Sequence, residues 1–252
     1  MTSPPPPAIA ARDLTLEYRL VHQRSRSLKD SFVRFLRGQR SRVEQFKALD
    51  AISFEVAAGE AVGVIGHNGS GKTTLLRLLA GVIRPTSGAL DVHGRVSTLI
   101  DLGAGFNQEL TGEENVYLAG ALYGFSRREM QRKFDGIVRF AELERFIGVP
   151  VKNYSAGMSA RLGFAIATDV DPDVLLVDEV LAVGDESFQT KCLERMSGFR
   201  ARGKTMVLVS HDLRTVATFC NRVLLLDHGR VVAAGAPADV VKTYRDRTAG
   251  AS

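Results

Sequence analysis

Short, unbroken apolar runs that end on a polar residue recur along the chain: Ala61–Ile65, Val174–Val177 before Asp178, Met206–Val209 before Ser210, and Val223–Leu226 before Asp227. Runs of this kind predict strands covered on both faces, the pattern of a parallel sheet interleaved with helices. Polar residues just past such strands put chemistry at the carboxyl edge of the sheet, where open α/β folds bind ligands. The period changes between Thr111 and Thr168. Thr111 with Glu114 makes a capping-box start, and Val116, Leu118, Ala119 and Leu122 follow at helical spacing. An inserted helical subdomain over about 111–168 is therefore predicted. Val223–Asp227, His228-Gly229 and Arg230–Ala234 predict a hairpin closed by a tight turn, with a last helix over Pro237–Arg245.

Length and composition narrow this picture. A chain of 252 residues with 45% hydrophobic content suits one large α/β domain with an insertion rather than two independent folds. Residues 1–8, with Pro4–Pro7, read as a disordered tail, and 9–252 as a single domain. No stretch approaches the ~18–20 apolar residues of a membrane-spanning helix, and the N-terminus has no apolar signal-peptide core. Cys192 and Cys220 read as a reduced pair. A soluble, cytoplasmic protein is expected. The charge is uneven: Arg19 to Lys47 holds nine basic residues against two acidic ones, a net of +7 within a total of +5, which leaves −2 elsewhere. That one segment suits an acidic partner, either anionic lipid headgroups or nucleic acid.

The chemistry starts at Gly66-His67-Asn68-Gly69-Ser70-Gly71-Lys72-Thr73, which fits G-x-x-x-x-G-K-[ST] without deviation and lies between a predicted strand and the helical run Thr74–Leu79. Glycines let the backbone curl so that successive N–H groups face phosphate oxygens, and the helix N-terminus adds partial positive charge. Lys72 is placed to reach the β and γ phosphates and the Thr73 hydroxyl to ligand Mg²⁺. A nucleoside triphosphate is the expected ligand. The run Val174–Val177 ends on Asp178 and Glu179. Asp178 suits the Mg²⁺ shell, and Glu179 suits a general base that polarises the attacking water.

From this point the chain resembles the ABC ATPase family over nearly its whole length. Asn153-Tyr154-Ser155-Ala156-Gly157-Met158 stands where that family keeps its LSGGQ-like signature, with Tyr154, Ala156 and Met158 departing from the consensus and Ser155 and Gly157 retained. Leu181-Ala182-Val183-Gly184-Asp185 resembles the D-loop, with Asp185 at its acidic position, and Ser210-His211-Asp212 makes His211 the switch histidine. Tyr18 resembles the aromatic that stacks on adenine; an ordinary tyrosine of an amphipathic strand is the alternative. No Q-loop glutamine is assigned, because Gln108 is too close to Leu110, and Asp101 or Leu102 falls near the usual place.

The resemblance implies a P-loop NTPase core with a mixed or parallel sheet, an N-terminal antiparallel β region and an inserted helical subdomain. It implies nucleotide contacts from Tyr18, Gly66–Thr73, Thr74, Ser155, Ala156 and Gly157, catalysis by Glu179 and His211, and Mg²⁺ held by Thr73 and Asp178. ATP is the implied nucleotide, sandwiched in a head-to-tail homodimer. The irregular signature, the Leu102–Phe106 and Thr111–Asn115 stretches and the basic insertion over about 20–46 look like ATPases that export polysaccharides such as O-antigen, galactan or teichoic acid. Within the insertion Leu28, Phe32, Phe35 and Leu36 oppose Arg26, Asp30, Arg34 and Arg37, a basic amphipathic helix suited to the membrane interface or a transporter's coupling surface. A charged, solvated helix packed on its own domain is the other reading. Integral membrane permease subunits, a lipid-linked polysaccharide as cargo and a peripheral position on the cytoplasmic face of the inner membrane are implied, with no nucleic acid. The competing class is a soluble ABC ATPase acting on nucleic acid or ribosomes.

Overall fold

The computed structural model describes residues 6–21, 43–100, 102–103, 105–178 and 184–249. Strand β1 (Ile9–Val21) pairs antiparallel with β2 (Val43–Val56) and with β4 (Ser87–Val92), giving a small sheet in the order β2-β1-β4. The larger sheet contains β3 (Ala61–Ile65), β5 (Val96–Leu99), β6 (Val174–Asp178), β7 (Thr205–Val209), β8 (Arg222–Asp227) and β9 (Arg230–Gly235). Its order is β5-β6-β7-β3-β8-β9, parallel throughout except for β9. β3 and β7 occupy the interior and are buried at every residue, which is why their sequences are uniformly apolar rather than alternating. Edge strand β9 alternates between exposed and half-buried positions.

Helix α1 (Lys72–Leu79) lies between the two sheets. Leu75, Leu76, Leu78 and Leu79 pack there with Ile9, Leu14, Leu49 and Ile52 from the small sheet and Val62 and Val64 from the large one. Each of those leucines contributes ~1.5–3 kcal/mol by full burial, so the helix that carries the phosphate loop is anchored from both sides. The other face of the large sheet is covered by α5 (Glu186–Ala201), α6 (Leu213–Phe219) and α7 (Pro237–Ala249), through Phe188, Cys192, Met196, Phe199, Val216, Val240 and Val241. The last helix thus runs four residues beyond the sequence expectation.

Helices α2 (Gly112–Leu122), α3 (Arg127–Ala141) and α4 (Ala156–Asp169) have a separate core of Val116, Met130, Ile137, Ala141, Leu162 and Ile166. The Thr111–Glu114 capping box is formed, and Ser126 with Glu129 forms a second that starts α3. Phe164 of α4 belongs to the large-sheet core and Leu162 and Ile166 to the helical one, so α4 joins the two.

The basic insertion separates β1 and β2, whose register runs out to Val21 opposite Val43. The expected amphipathic helix, with Leu28, Phe32, Phe35 and Leu36, lies outside the described residues. At the other end, Ala8 is already buried and its carbonyl accepts from the His93 N–H. Among the described residues no helix is long and apolar enough to cross a membrane.

Candidate nucleotide-binding site

The phosphate loop leaves β3 and turns directly into α1. Gly66 and Gly71 sit at φ 155° and φ 107°, in the left-handed region. A Cβ at Gly66 would stand 2.2 Å from the Leu226 carbonyl oxygen, and one at Gly71 would stand 2.7 Å from that of Ala48. Both positions therefore require glycine for conformation and for space. The Lys72 ammonium donates to the Gly66 and His67 carbonyls at 2.8 and 2.9 Å, so the side chain folds back across the loop that it closes. Ser70 is fully buried beneath the loop, with its N–H donating to the His67 carbonyl at 3.1 Å.

A cavity of about 560 Å³ opens over this loop, lined by Tyr18, Phe46, Ala48, Asn68, Gly69, Gly71, Lys72, Thr73, Thr74, Leu102 and Asp178. One wall is phosphate chemistry: N–H groups at the start of α1, the Lys72 ammonium and the Thr73 hydroxyl. The Asp178 carboxylate at the end of β6 stands on the same cavity as Thr73. A hydroxyl and a carboxylate are the oxygen donors that Mg²⁺ takes when it is bound mainly through waters and phosphates, so the residues present fit that ion. The opposite wall is aromatic. Tyr18 on β1 is register partner to Phe46 on β2, and the two are 41% and 52% exposed. A flat, apolar, solvent-facing wall opposite a phosphate cradle suits a nucleobase.

Sequence reasoning placed Tyr18 here but missed Phe46, which became visible only through the cross-strand register. It also missed Ala48, while Leu102, considered only for its place near the Q-loop position, lines the cavity directly. Glu179 and Leu181–Val183 lie outside the described residues, as does Asp101.

The remaining sequence-identified residues are not gathered into this cavity. Ser155 is the N-cap of α4, accepts from the Met158 N–H at 3.1 Å, and is exposed together with Ala156. Around Gly157 a Cβ would meet no atom nearer than the Ser155 hydroxyl at 3.8 Å, so this helix start faces open space. Asp185 caps α5 by accepting from the Phe188 N–H at 2.9 Å. That hydrogen bond, followed by the Arg161 guanidinium, holds its carboxyl below the usual range. Arg161 itself spans Asp185 at 2.9 Å and Glu142 at 2.8 Å, and tethers the exposed α4 start to the start of α5. His211 is exposed just beyond β7, two residues after Val209, the register partner of Asp178. His67 directs Nε2 to Asp227 Oδ1 at 3.0 Å, away from the cavity lining.

Fold and cavity together define a P-loop nucleotide-binding domain that carries an inserted helical subdomain and an exposed second helix N-terminus. Residues 49–182 match the ABC transporter family. The chain belongs to that family. It is 43% identical over 244 residues to an O-antigen export system ATP-binding protein of Klebsiella pneumoniae, covering 96% of this chain and 99% of that one. It is 44% identical to a protein of the same description from Myxococcus xanthus, covering 95% of this chain but only 56% of that longer protein. A teichoic acids export ATP-binding protein of Lactiplantibacillus plantarum is 42% identical, with 94% of this chain and 64% of that protein covered. Among solved structures, an ATP-binding subunit of an ABC transporter superposes with a TM-score of 0.74 at 25% identity, over 94% of this chain and 93% of that one. A dimeric ATP-binding cassette bound to ADP and Pi superposes with a TM-score of 0.72 at 22% identity, over 91% and 98%.

Proposed function

We propose that this chain is the ATP-binding and ATP-hydrolysing subunit of an ABC transporter that exports a lipid-linked polysaccharide. The observation that carries the enzymatic half is the convergence of Lys72, Thr73 and Asp178 on one cavity faced by Tyr18 and Phe46. Tyr18 and Phe46 hold the adenine, and the N–H groups of Gly69–Thr74 with the Lys72 ammonium hold the β and γ phosphates. Thr73 and Asp178 hold Mg²⁺, which supplies neutralisation of phosphate charge when bound. Glu179 accepts the proton of the attacking water, and His211 contacts the γ-phosphate from the end of β7.

The exposed Ser155–Gly157 helix start is the part of the site that one chain leaves unused. A helix N-terminus with a serine hydroxyl and a small residue beside it accepts an anion at close approach. In a head-to-tail homodimer it meets the γ-phosphate held by the other copy, with Asp185 and Arg161 near the seam. Closure on ATP and release after hydrolysis then act on an integral membrane permease, from the cytoplasmic face of the inner membrane. The polysaccharide cargo is supported by the relatives, two of which are O-antigen export ATP-binding proteins and a third a teichoic acids export ATP-binding protein. It is also supported by the departures at Tyr154, Ala156 and Met158 noted above.

The test is surface glycan in a strain that lacks this gene, complemented with the wild type or with Lys72→Ala. Wild type restores the surface glycan and Lys72→Ala leaves it inside on its lipid carrier. Normal surface glycan in the uncomplemented strain overturns the export assignment.

A further inference from the structure

The β8–β9 turn is pressed against the back of the phosphate loop. The Gly229 N–H donates to the Ser70 carbonyl at 2.9 Å, and the Gly229 carbonyl accepts from the Asp50 N–H at 2.9 Å. His228 and Gly229 adopt φ 44° and 75°, the left-handed pair of a two-residue hairpin turn. These restraints hold Asp227 and His228 beside His67. His67 Nε2 is 3.0 Å from Asp227 Oδ1, and His228 Nε2 is 3.7 Å from the same oxygen. The three ligand atoms all lie within 4.8 Å of one another, and the two rings are tilted by 56° at a centroid distance of 4.8 Å.

The three side chains converge on one atom. His67 Nδ1 is 2.7 Å from the Asn68 carbonyl oxygen, which only accepts, so Nε2 is the ring nitrogen left to face Asp227 Oδ1 at 3.0 Å. The second imidazole, that of His228, stands 3.7 Å from the same oxygen. Two imidazoles and a carboxylate held together in this way are a donor set that a dication bridges. The Nδ1–H to carbonyl bond is also the outer hydrogen bond that orients metal-ligating imidazoles.

We propose that His67, Asp227 and His228 form a three-ligand site for a transition-metal dication of the Zn²⁺ class, which ties the phosphate loop to the β8–β9 turn. With metal–ligand lengths of ~2.0–2.2 Å, tetrahedral ligand atoms stand roughly 3.3–3.5 Å apart. The two separations to Asp227 Oδ1, 3.0 and 3.7 Å, straddle that value, and the third, between the two imidazoles, lies within 4.8 Å. His228, 85% exposed at its side chain, is free to turn its ring and close the remaining separation, and water supplies the fourth ligand. Arg247 Nη1 lies 3.3 Å from Asp227 Oδ2 and fixes the carboxylate with Oδ1 towards the rings. Its positive charge reduces the gain from a bare dication, so the site selects by imidazole affinity and disfavours Mg²⁺. The site is distinct from the Mg²⁺ position at Thr73 and Asp178.

The experiment is calorimetric titration of the full chain, stripped with chelator, with ZnCl₂ in the presence of millimolar MgCl₂. One Zn²⁺ per chain is expected, with no displacement by Mg²⁺ and a rise in unfolding temperature of roughly 5–10 °C at a hundredfold excess over Kd. His228→Asn keeps a residue that tolerates the left-handed turn and is expected to weaken Zn²⁺ binding at least about tenfold. Asp227→Asn is expected to do the same, and His93→Gln, at an exposed histidine elsewhere, to change nothing. No Zn²⁺ binding by the wild type overturns the proposal, and so does binding that both His228→Asn and Asp227→Asn leave unchanged.

Discussion

The aromatic wall of the cavity gives the most quantitative prediction. Tyr18 and Phe46 are paired across β1 and β2 and are 41% and 52% exposed. Each ring buries only about half its surface in the folded chain, so truncation to alanine removes ~1 kcal/mol of burial from a domain stability of ~5–15 kcal/mol. Both variants therefore fold. Base–aromatic stacking contributes ~1–3 kcal/mol, and ~1.4 kcal/mol is a factor of ten in Kd. Tyr18→Ala should then weaken ATP binding roughly 5- to 150-fold, and Phe46→Ala about fivefold or more. Inorganic tripolyphosphate separates the two walls of the site, because it engages Lys72 and the loop N–H groups but has no base. The assay is calorimetric titration of both ligands against both variants. ATP affinity should fall while tripolyphosphate affinity stays the same. An unchanged Kd for ATP in the double variant refutes the aromatic wall as the base site, as does an equal loss for tripolyphosphate.

Gly66→Ala places a methyl group 2.2 Å from the Leu226 carbonyl oxygen at φ 155°; a loss of ~2 kcal/mol or more in urea unfolding is expected together with loss of ATP binding, and wild-type values for both would contradict the close approach. Cys192 and Cys220 are buried, which pushes both thiols up to about 12; at pH 8 roughly one in ten thousand is thiolate, so a thiol reagent should modify neither until the protein unfolds. Glu142 and Asp185 are held below the usual carboxylate range, Glu142 by the Lys191 ammonium first and Asp185 by the Phe188 N–H first, with Arg161 acting on both. Their contribution is present above the unfolded carboxylate value and lost as pH falls through the lower folded one. Arg161→Ala should lower the unfolding temperature at neutral pH and flatten its decline on acidification; an identical pH profile would remove Arg161 from that account.

Local signals carried the fold a long way. The apolar runs became β3, β6, β7 and β8 because interior strands of a doubly covered sheet have no solvent face to mark. Thr111–Glu114 started α2, and His228-Gly229 closed the hairpin. The phosphate loop was legible because its chemistry is contiguous. What the sequence concealed is long-range pairing. Phe46 meets Tyr18 only once the β1–β2 register is known. His67 meets Asp227 across 160 residues because β3 and β8 are neighbours in the sheet. The role of Arg161, spanning Glu142 and Asp185, depends on how α4 lies against α5. None of these has a periodic or motif signature.

The central claim is that this chain hydrolyses ATP at sites completed by a second copy. It is tested most directly with Glu179→Gln, by recording molecular mass by light scattering and steady-state phosphate release in the same ATP-containing sample. A dimer that persists in ATP, with turnover reduced about 10²–10⁴-fold relative to the wild type, is the expected result. A monomer that releases phosphate at the wild-type rate contradicts both the assigned base and the shared site.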